Sequence, residues 1–170
     1  MDKKLEKIVQ ALQEKFGATL EEFRDEAHVF VKAEHIVDAL TLLRDKYEFE
    51  LLSALTATDY YPEMTPRFHV VYQLSSLAKN LTLQLRVAVN GDQPKVPTAT
   101  RVYDTANWRE REVLDMFGIE FEGHPDPRKI LTPDEMDGHP LRKDFPLGYE
   151  EPQFTFNYDD IDLKKIYAKE

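Results

Sequence analysis

The chain has 170 residues, no cysteine and a formal net charge of −10, with 32 acidic residues against 22 basic ones. This acidic balance opposes binding to nucleic-acid phosphates or to an anionic lipid surface, and the lack of cysteine excludes disulfides, thiolate-held iron–sulfur clusters and cysteine-ligated zinc. No apolar run approaches the roughly 20 residues of a membrane span, so we expect a soluble chain that meets a membrane only through partners.

Two helices and four strands are predicted before residue 90. Apolar residues at helical spacing predict a first helix that starts at Asp2 and ends at Gly17, and a second helix over 36–47. Strands are predicted over 28–32, 51–57, 68–74 and 81–89. The run 51–57 is apolar enough to be buried on both faces, whereas the strict alternation in 81–89 predicts that one face lies on the core.

A third helix is predicted over 104–117, closed by Gly118. The order helix, strand, helix, strands, helix predicts an α+β fold, with a mixed or antiparallel sheet and helices packed on one face. Prolines recur after residue 119 and disfavour long helices and central strands there. We therefore predict a core domain of residues 1–118 and an extended, proline-rich C-terminal docking arm of residues 119–170.

The third helix carries charges on the face that should meet the core. At roughly 100° per residue, its apolar side chains share their face with Arg109 and Glu110. The opposite side holds the chain's one tryptophan and three charged residues: Trp108, Arg111, Glu112 and Asp115. One interpretation is a frayed first turn whose long side chains reach out to solvent. The other is a helix covered on both sides, with Trp108 and its neighbours turned to a partner.

The tripeptide Gly-His-Pro occurs twice and places His124 and His139 among carboxylates. A metal site or a small hydrolase is one hypothesis for these residues. No periodic spacing brings the two histidines together, however, and histidines that bond backbone groups in tight turns are the alternative. Dinucleotide, P-loop, nucleophile-elbow and His-Glu-x-x-His motifs are all missing from the sequence. The residues themselves therefore predict no catalytic, cofactor-binding or metal-binding position.

A stretch of about forty residues resembles a family signature. Residues 108–131 are Trp-Arg-Glu-Arg-Glu-Val-Leu-Asp-Met-Phe-Gly-Ile-Glu-Phe-Glu-Gly-His-Pro-Asp-Pro-Arg-Lys-Ile-Leu, and residues 138–146 are Gly-His-Pro-Leu-Arg-Lys-Asp-Phe-Pro. This pattern is similar to that of the C subunits, the 30 kDa subunit family, of respiratory complex I (NADH:quinone oxidoreductase). The sequence departs from the commonest pattern at Pro127, where leucine is frequent, and at Lys129, where arginine is frequent.

The resemblance implies a non-catalytic, cofactor-free subunit in the peripheral arm of a proton-translocating NADH:quinone oxidoreductase. FMN and the iron–sulfur clusters would reside in partner subunits. The chain would dock on the D subunit, which holds the quinone site, and on the iron–sulfur subunits B and I, at the cytoplasmic side of the inner membrane. The equivalent subunit of a membrane-bound hydrogenase or of an F420H2 dehydrogenase is the alternative.

The resemblance also implies which residues make contacts. Charged residues of the motif would form interlocking ion pairs inside the docking arm or across the interface, and so fix its register. The implied contact residues are Trp108, Glu110, Arg111, Glu112, Asp115, His124, Asp126, Arg128, His139, Arg142, Lys143 and Asp144.

Overall fold

The computed structural model describes residues 3–24 and 26–146. Its helices are α1 (Lys3–Phe16), α2 (Ile36–Tyr47) and α3 (Ala106–Phe117), and a short 3-10 turn, Ala33–His35, leads into α2. Its strands are β1 (Thr19–Phe23), β2 (Glu26–Phe30), β3 (Leu51–Asp59), β4 (Phe68–Ser76), β5 (Leu81–Val89), β6 (Lys95–Pro97) and β7 (Glu120–Glu122). Residues 147–170 of the predicted docking arm lie outside the described residues.

The main sheet has five strands in the order β1-β2-β5-β4-β3. Strands β2 and β5 run parallel, and the other neighbours pair antiparallel. A second, two-stranded sheet joins β6 and β7 in parallel, with α3 between them in sequence. The predicted α+β class with a mixed sheet is confirmed.

One face of the main sheet forms the core. Side chains alternate along the central strands, so that Tyr72 and Leu74 of β4 and Leu85 of β5 lie fully buried beside Leu12 of α1 and Leu40 of α2. Each of these buried leucines contributes roughly 1.5–3 kcal/mol through removal from water. The opposite face is polar and partly exposed, and there the amide groups of two glutamines, one on β4 and one on β5, bond each other.

The prediction that strand β3 is buried on both faces was wrong. Leu51 and Thr56 are exposed rather than buried, because β3 is an edge strand and its second face lies on the polar side of the sheet. A shift in register between Leu52 and Ala54 marks a bulge on this edge. Bulges and polar residues are common protection for a strand edge that would otherwise pair with other chains.

The sequence patterns did not predict the short strands β1, β6 and β7. Strand β1 has a charged middle, and its pairing with β2 comes from tertiary context rather than from alternation. Strands β6 and β7 are three residues each, too short for a periodic signal. Core packing also crosses the predicted boundary after Gly118, since Ile119 and Phe121 are buried with the main cluster.

A buried hydrogen bond links the loop before α3 to the segment between α2 and β3. The hydroxyl of Tyr103 donates to the carbonyl of Phe49 over 2.6 Å in the interior. We predict that Tyr103→Phe lowers the free energy of unfolding by about 1–3 kcal/mol, since it leaves the buried carbonyl without its donor. Urea denaturation measures this. The matched control is Tyr47→Phe, whose hydroxyl has no partner among the described residues; equal losses in the two variants would contradict the assignment.

Candidate functional site

The described part of the predicted arm lies along helix α3. Residues 123–146, here called the strap, follow β7 and contact the helix at its first turn, on its outer side and at its C-terminal end. Each contact is made largely by a side chain bonded to a backbone group. The strap is therefore an irregular segment that is held by hydrogen bonds to polar groups of α3.

The first contact is the turn at His124. The N–H of Asp126 donates to Nδ1 of this histidine over 3.0 Å, so the ring proton must lie on Nε2. Nε2–H then donates to the carbonyl of Asn107 over 3.1 Å. The imidazole is thus held as the neutral tautomer. Its Nε2 lies 3.9 Å from Oε2 of Glu110.

Glu110 is a fully buried acid on the inner side of α3. Its Oε1 accepts the N–H of Ala99 over 2.7 Å, and its Oε2 accepts the hydroxyl of Thr98 over 2.6 Å. Burial raises the pKa of Glu110 to about 7, although these two bonds oppose the shift. The resemblance implied ion pairs for the charged residues of the motif, but the carboxyl of Glu110 accepts from neutral donors.

Asp115 fixes the middle of the strap. Its carboxylate accepts the N–H groups of Ile130, Leu131 and Thr132 over 3.1, 2.7 and 2.9 Å, and the hydroxyl of Thr132 as well. Burial opposes ionisation, but the hydrogen bonds from Thr132 and its neighbours hold the pKa of Asp115 below its usual value. The helical angles had placed Asp115 on the solvent side. It is buried because the chain's own strap covers that side of α3.

The C-terminal end of α3 receives the last part of the strap. A helix leaves its final carbonyls without internal partners. Here Nδ1–H of His139 donates to the carbonyl of Asp115 over 2.9 Å, and Nε–H of Arg142 donates to that of Phe117 over 2.6 Å. The N–H of Leu141 donates to the carbonyl of Met116 over 3.1 Å.

A buried arginine ties the strap to the β3–β4 hairpin. The Arg67 guanidinium donates to both oxygens of Asp59 over 3.0 and 2.9 Å and to both oxygens of Asp144 over 3.0 and 2.6 Å. Lys143 adds its backbone N–H, at 2.9 Å from Asp59 Oδ2, rather than its ammonium group. Although burial opposes it, the Arg67 bonds lower the pKa of Asp59 to about 2.

Asp59 and Arg67 were missed by the sequence analysis. Asp59 ends strand β3, and Arg67 stands one residue before strand β4. Opposite charges that flank a hairpin are the one signal that could have paired them. No local pattern links Arg67 to Asp144, which lies 77 residues further along the chain.

The outer side of α3 is covered only in part. Trp108 is 63% exposed, and the Arg111 guanidinium lies 5.2 Å from the centre of its ring. Arg111 also donates to the carbonyls of Arg128 and Lys129, over 3.0 and 3.2 Å. The Trp108 ring is therefore held beside the strap while it remains open to solvent.

Two other predicted contact positions lie at the surface. Arg128 pairs with Asp126 over 2.6 and 2.7 Å, through an arginine side chain that is largely exposed. Such surface pairs contribute little to stability. Glu112 is exposed and has no hydrogen bond or ion pair within the described ranges. Neither position holds the strap against the core.

The two Gly-His-Pro turns do not form one site. His124 bonds the start of α3 and His139 its end, to carbonyls eight residues and so roughly 12 Å apart along the axis. Between residues 3 and 146, with residue 25 left out, no group of three or more histidine and acidic residues could hold a metal ion. None of the helices in those same ranges is both long and apolar enough to cross a bilayer.

Comparisons with known proteins agree on one family. Residues 29–151 match the family model described as respiratory-chain NADH dehydrogenase, 30 Kd subunit. The C subunit of the NADH-quinone oxidoreductase of Roseiflexus sp. (strain RS-1) is 48% identical over 151 residues, 88% of this chain and 86% of that protein. The one from Caulobacter vibrioides is 48% identical over 144 residues, 83% of this chain and 70% of that protein.

Solved structures share the fold. A trypsin-resistant fragment (1–134) of Nqo5 matches with a TM-score of 0.66 at 34% identity, over 72% of this chain and 98% of the fragment. A chain from a membrane-bound sulfane sulfur reductase, an archaeal respiratory membrane complex, matches with a TM-score of 0.71 at 26% identity, over 96% of this chain and 92% of that one. Together with the family match, these similarities confirm the resemblance drawn from residues 108–146.

The C-cap glycine of α3 tests the strap contacts. Gly118 has a φ of +69°, and a Cβ there would collide with His139 Nε2 and lie 2.6 Å from Arg142 Nη2. Gly17 caps α1 at a φ of +62° with nothing within 4 Å. We predict that Gly17→Ala costs roughly 1–2 kcal/mol from backbone strain alone. Gly118→Ala should cost a further 1–3 kcal/mol, roughly, because the strap's donors are displaced from buried carbonyls.

Urea denaturation gives both free energies of unfolding, and limited proteolysis reports release of the strap. Cleavage within 123–146 should quicken in Gly118→Ala and stay at the parent rate in Gly17→Ala. Equal costs and equal cleavage would show that the strap does not depend on His139 and Arg142.

The Asp59–Arg67 pair predicts an acid-dependent loss of stability. Because the folded pKa of Asp59 is depressed to about 2 from 3.8, its contribution is present above pH 3.8 and is lost as the pH falls through 2. Between pH 5 and pH 2 the parent should lose about 2 kcal/mol more than Asp59→Asn does. Urea unfolding at the two pH values measures the difference. Glu63→Gln, in the same loop, should lose as much stability between the two pH values as the parent. If Asp59→Asn also lost as much as the parent, the pairing would be disproved.

Proposed function

Because the chain belongs to the 30 kDa subunit family of the respiratory-chain NADH dehydrogenase, we propose that it is the non-catalytic C subunit of the peripheral arm of a proton-translocating NADH:quinone oxidoreductase. Its role is to hold partner subunits in register. Electrons pass from NADH to quinone through cofactors that the partners carry. The relatives that carry the name of this complex, at 48% identity over most of both chains, support this proposal.

The observation that carries the docking role is a fixed backbone beneath exposed apolar side chains. Leu131 and Leu141 are 64% and 53% exposed, yet their backbone N–H groups are bonded to Asp115 and Met116. Trp108 is likewise exposed but held by Arg111. Large apolar side chains on a preorganised backbone bind partners at little entropic cost, and tryptophan is a favoured anchor of interfaces.

The partners follow from the same proposal. The chain docks on the D subunit, which holds the quinone site, and on the iron–sulfur subunits B and I. It carries no FMN and no cluster of its own, in keeping with a sequence without cysteine. Its place is the cytoplasmic side of the inner membrane, reached through the complex. The match to a chain of an archaeal respiratory membrane complex supports assembly of this kind.

A related machine is the second candidate. The chain of the sulfane sulfur reductase matches over 96% of this chain, so the same fold serves a respiratory complex with another reaction. A membrane-bound hydrogenase or an F420H2 dehydrogenase would use an equivalent subunit. Oxidation of NADH, H2 or F420H2 by the complex purified through a tag on this chain separates the candidates.

The exposed side chains give a direct test. We predict that Trp108→Ala combined with Leu131→Ala lowers recovery of the tagged chain in the assembled complex by at least about tenfold, the loss expected when one interface hot spot is removed. The free energy of unfolding of the isolated chain should change by no more than about 1 kcal/mol, since both side chains are largely exposed and Trp108 loses only its contact with Arg111. Native electrophoresis and pull-down quantify the assembly.

Leu77→Ala is the matched control. Leu77 is 72% exposed in the turn between β4 and β5, away from the strap, and its substitution should leave assembly unchanged. Full assembly of the double variant would refute docking through this surface. Recovery of the parent chain without iron–sulfur partners would refute the proposed function as a whole.

A further inference from the structure

Glu110 lines a small pocket between α3, β7 and the strap. The pocket is lined by Glu110, Arg111, Leu114, Phe121, His124 and Pro127, and it offers only about 10 Å³ to water. A single water needs at least about that volume. The carboxyl and the His124 side chain are both almost fully shielded from solvent. Because His124 and Pro127 form the strap side of this pocket, lifting the turn at His124 from α3 would open Glu110 to bulk water.

The hydrogen bonds of Glu110 suit either protonation state. The hydroxyl of Thr98 lies 2.6 Å from Oε2 and 2.9 Å from the hydroxyl of Thr100. When Glu110 is ionised, Thr98 donates to it. When Glu110 is protonated, its O–H can donate to Thr98, which then turns its own proton to Thr100. Both protonation states of Glu110 can thus be hydrogen-bonded with the surrounding backbone in the same position.

No cation is placed to neutralise an ionised Glu110 within the described residues. His124 is the nearest candidate, but the N–H of Asp126 occupies Nδ1, so a second ring proton would break that bond. Arg111 lines the pocket, yet its guanidinium donates to two strap carbonyls and lies 3.8 Å from Asp126. On the sheet side, Tyr72 is close enough for the Glu110 charge to act on it, but it offers only a neutral hydroxyl. That hydroxyl is buried and has no partner in the part of the chain that the structure describes. An ionised Glu110 would therefore be uncompensated while the turn is closed.

We propose that Glu110 is a proton-binding site that controls the closure of the turn 123–126 on helix α3. With a proton on Glu110, the closed turn covers a neutral group at little cost. Without it, the closed turn buries an unpaired carboxylate, and opening the turn hydrates that charge. This proton site is formed by residues of the chain itself and does not depend on which respiratory complex contains the chain.

The size of the effect follows from linkage between proton binding and opening. In the closed state the pKa of Glu110 is raised from 4.5 to about 7. Closure of the turn is therefore fully favourable below pH 4.5 and becomes less favourable as the pH rises through about 7. If opening returns Glu110 to its ordinary pKa, the opening equilibrium constant rises about tenfold between pH 6 and pH 8. Above pH 8 the change levels off, because the carboxyl is already ionised in the closed state.

Amide hydrogen exchange on the 170-residue chain tests the proposal. The reporters are the N–H of Ala99, bonded to Glu110, and the N–H of Asp126, bonded to His124. Their protection factors, corrected for intrinsic exchange, should lie below those of β4 amides and fall about tenfold from pH 6 to pH 8. The ¹³C shift of the Glu110 carboxyl should titrate over the same range.

Two variants separate this proton site from mere packing. Glu110→Gln keeps both hydrogen bonds, as an acceptor from Ala99 and a donor to Thr98, and should show protection that does not change with pH. Glu112→Gln, an exposed acid two residues away, should keep the tenfold fall. The proposal is overturned if the parent shows no fall, if Glu110→Gln retains it, or if both reporter amides exchange only as slowly as the β4 amides.

Discussion

The last turn of α3 presents carbonyl groups and one carboxylate that the helix cannot satisfy, and most of the strap is arranged around them. Three backbone N–H groups reach Asp115, while His139, Leu141 and Arg142 reach the carbonyls. Unsatisfied polar groups of this kind would each cost about 1–3 kcal/mol if buried. Helix and strap therefore stabilise each other: the strap has no regular structure of its own, and the helix end would be unsatisfied without it.

Buried acids in this chain differ according to what surrounds them. Asp59 faces an arginine and has a pKa of about 2, whereas Glu110 faces only neutral donors and has a pKa of about 7. Asp115 has no cation either among the described residues, yet four donors keep its pKa low. The number of donors and the presence of a cation decide each case, since burial opposes ionisation in all three. Near neutral pH, Asp59 and Asp115 thus make contacts as charged groups, whereas Glu110 titrates in that range.

Local patterns in the sequence predicted the features that depend on the regular geometry of a helix or a strand. Angles around α3 placed Glu110 on the core side and Trp108 toward solvent, and alternation located the strands β4 and β5. These patterns did not predict contacts between residues that are far apart in the sequence. Asp115 is on the solvent side of the helix by angle, but a segment 15 to 17 residues further on covers it. The Arg67–Asp144 bond spans 77 residues, and no spacing rule reaches that far. Proline spacing indicated an irregular arm but not the surface on which it lies.

Trp108 is the chain's one tryptophan, and it lies where α3, the strap and solvent meet. The intrinsic indole emission of the protein therefore arises from this surface alone. The ring is largely exposed and has a guanidinium 5.2 Å from its centre, so its spectrum is sensitive to any molecule that covers it and to any loss of the Arg111 contact. The protein thus carries its own optical reporter at the place where a partner would come to rest.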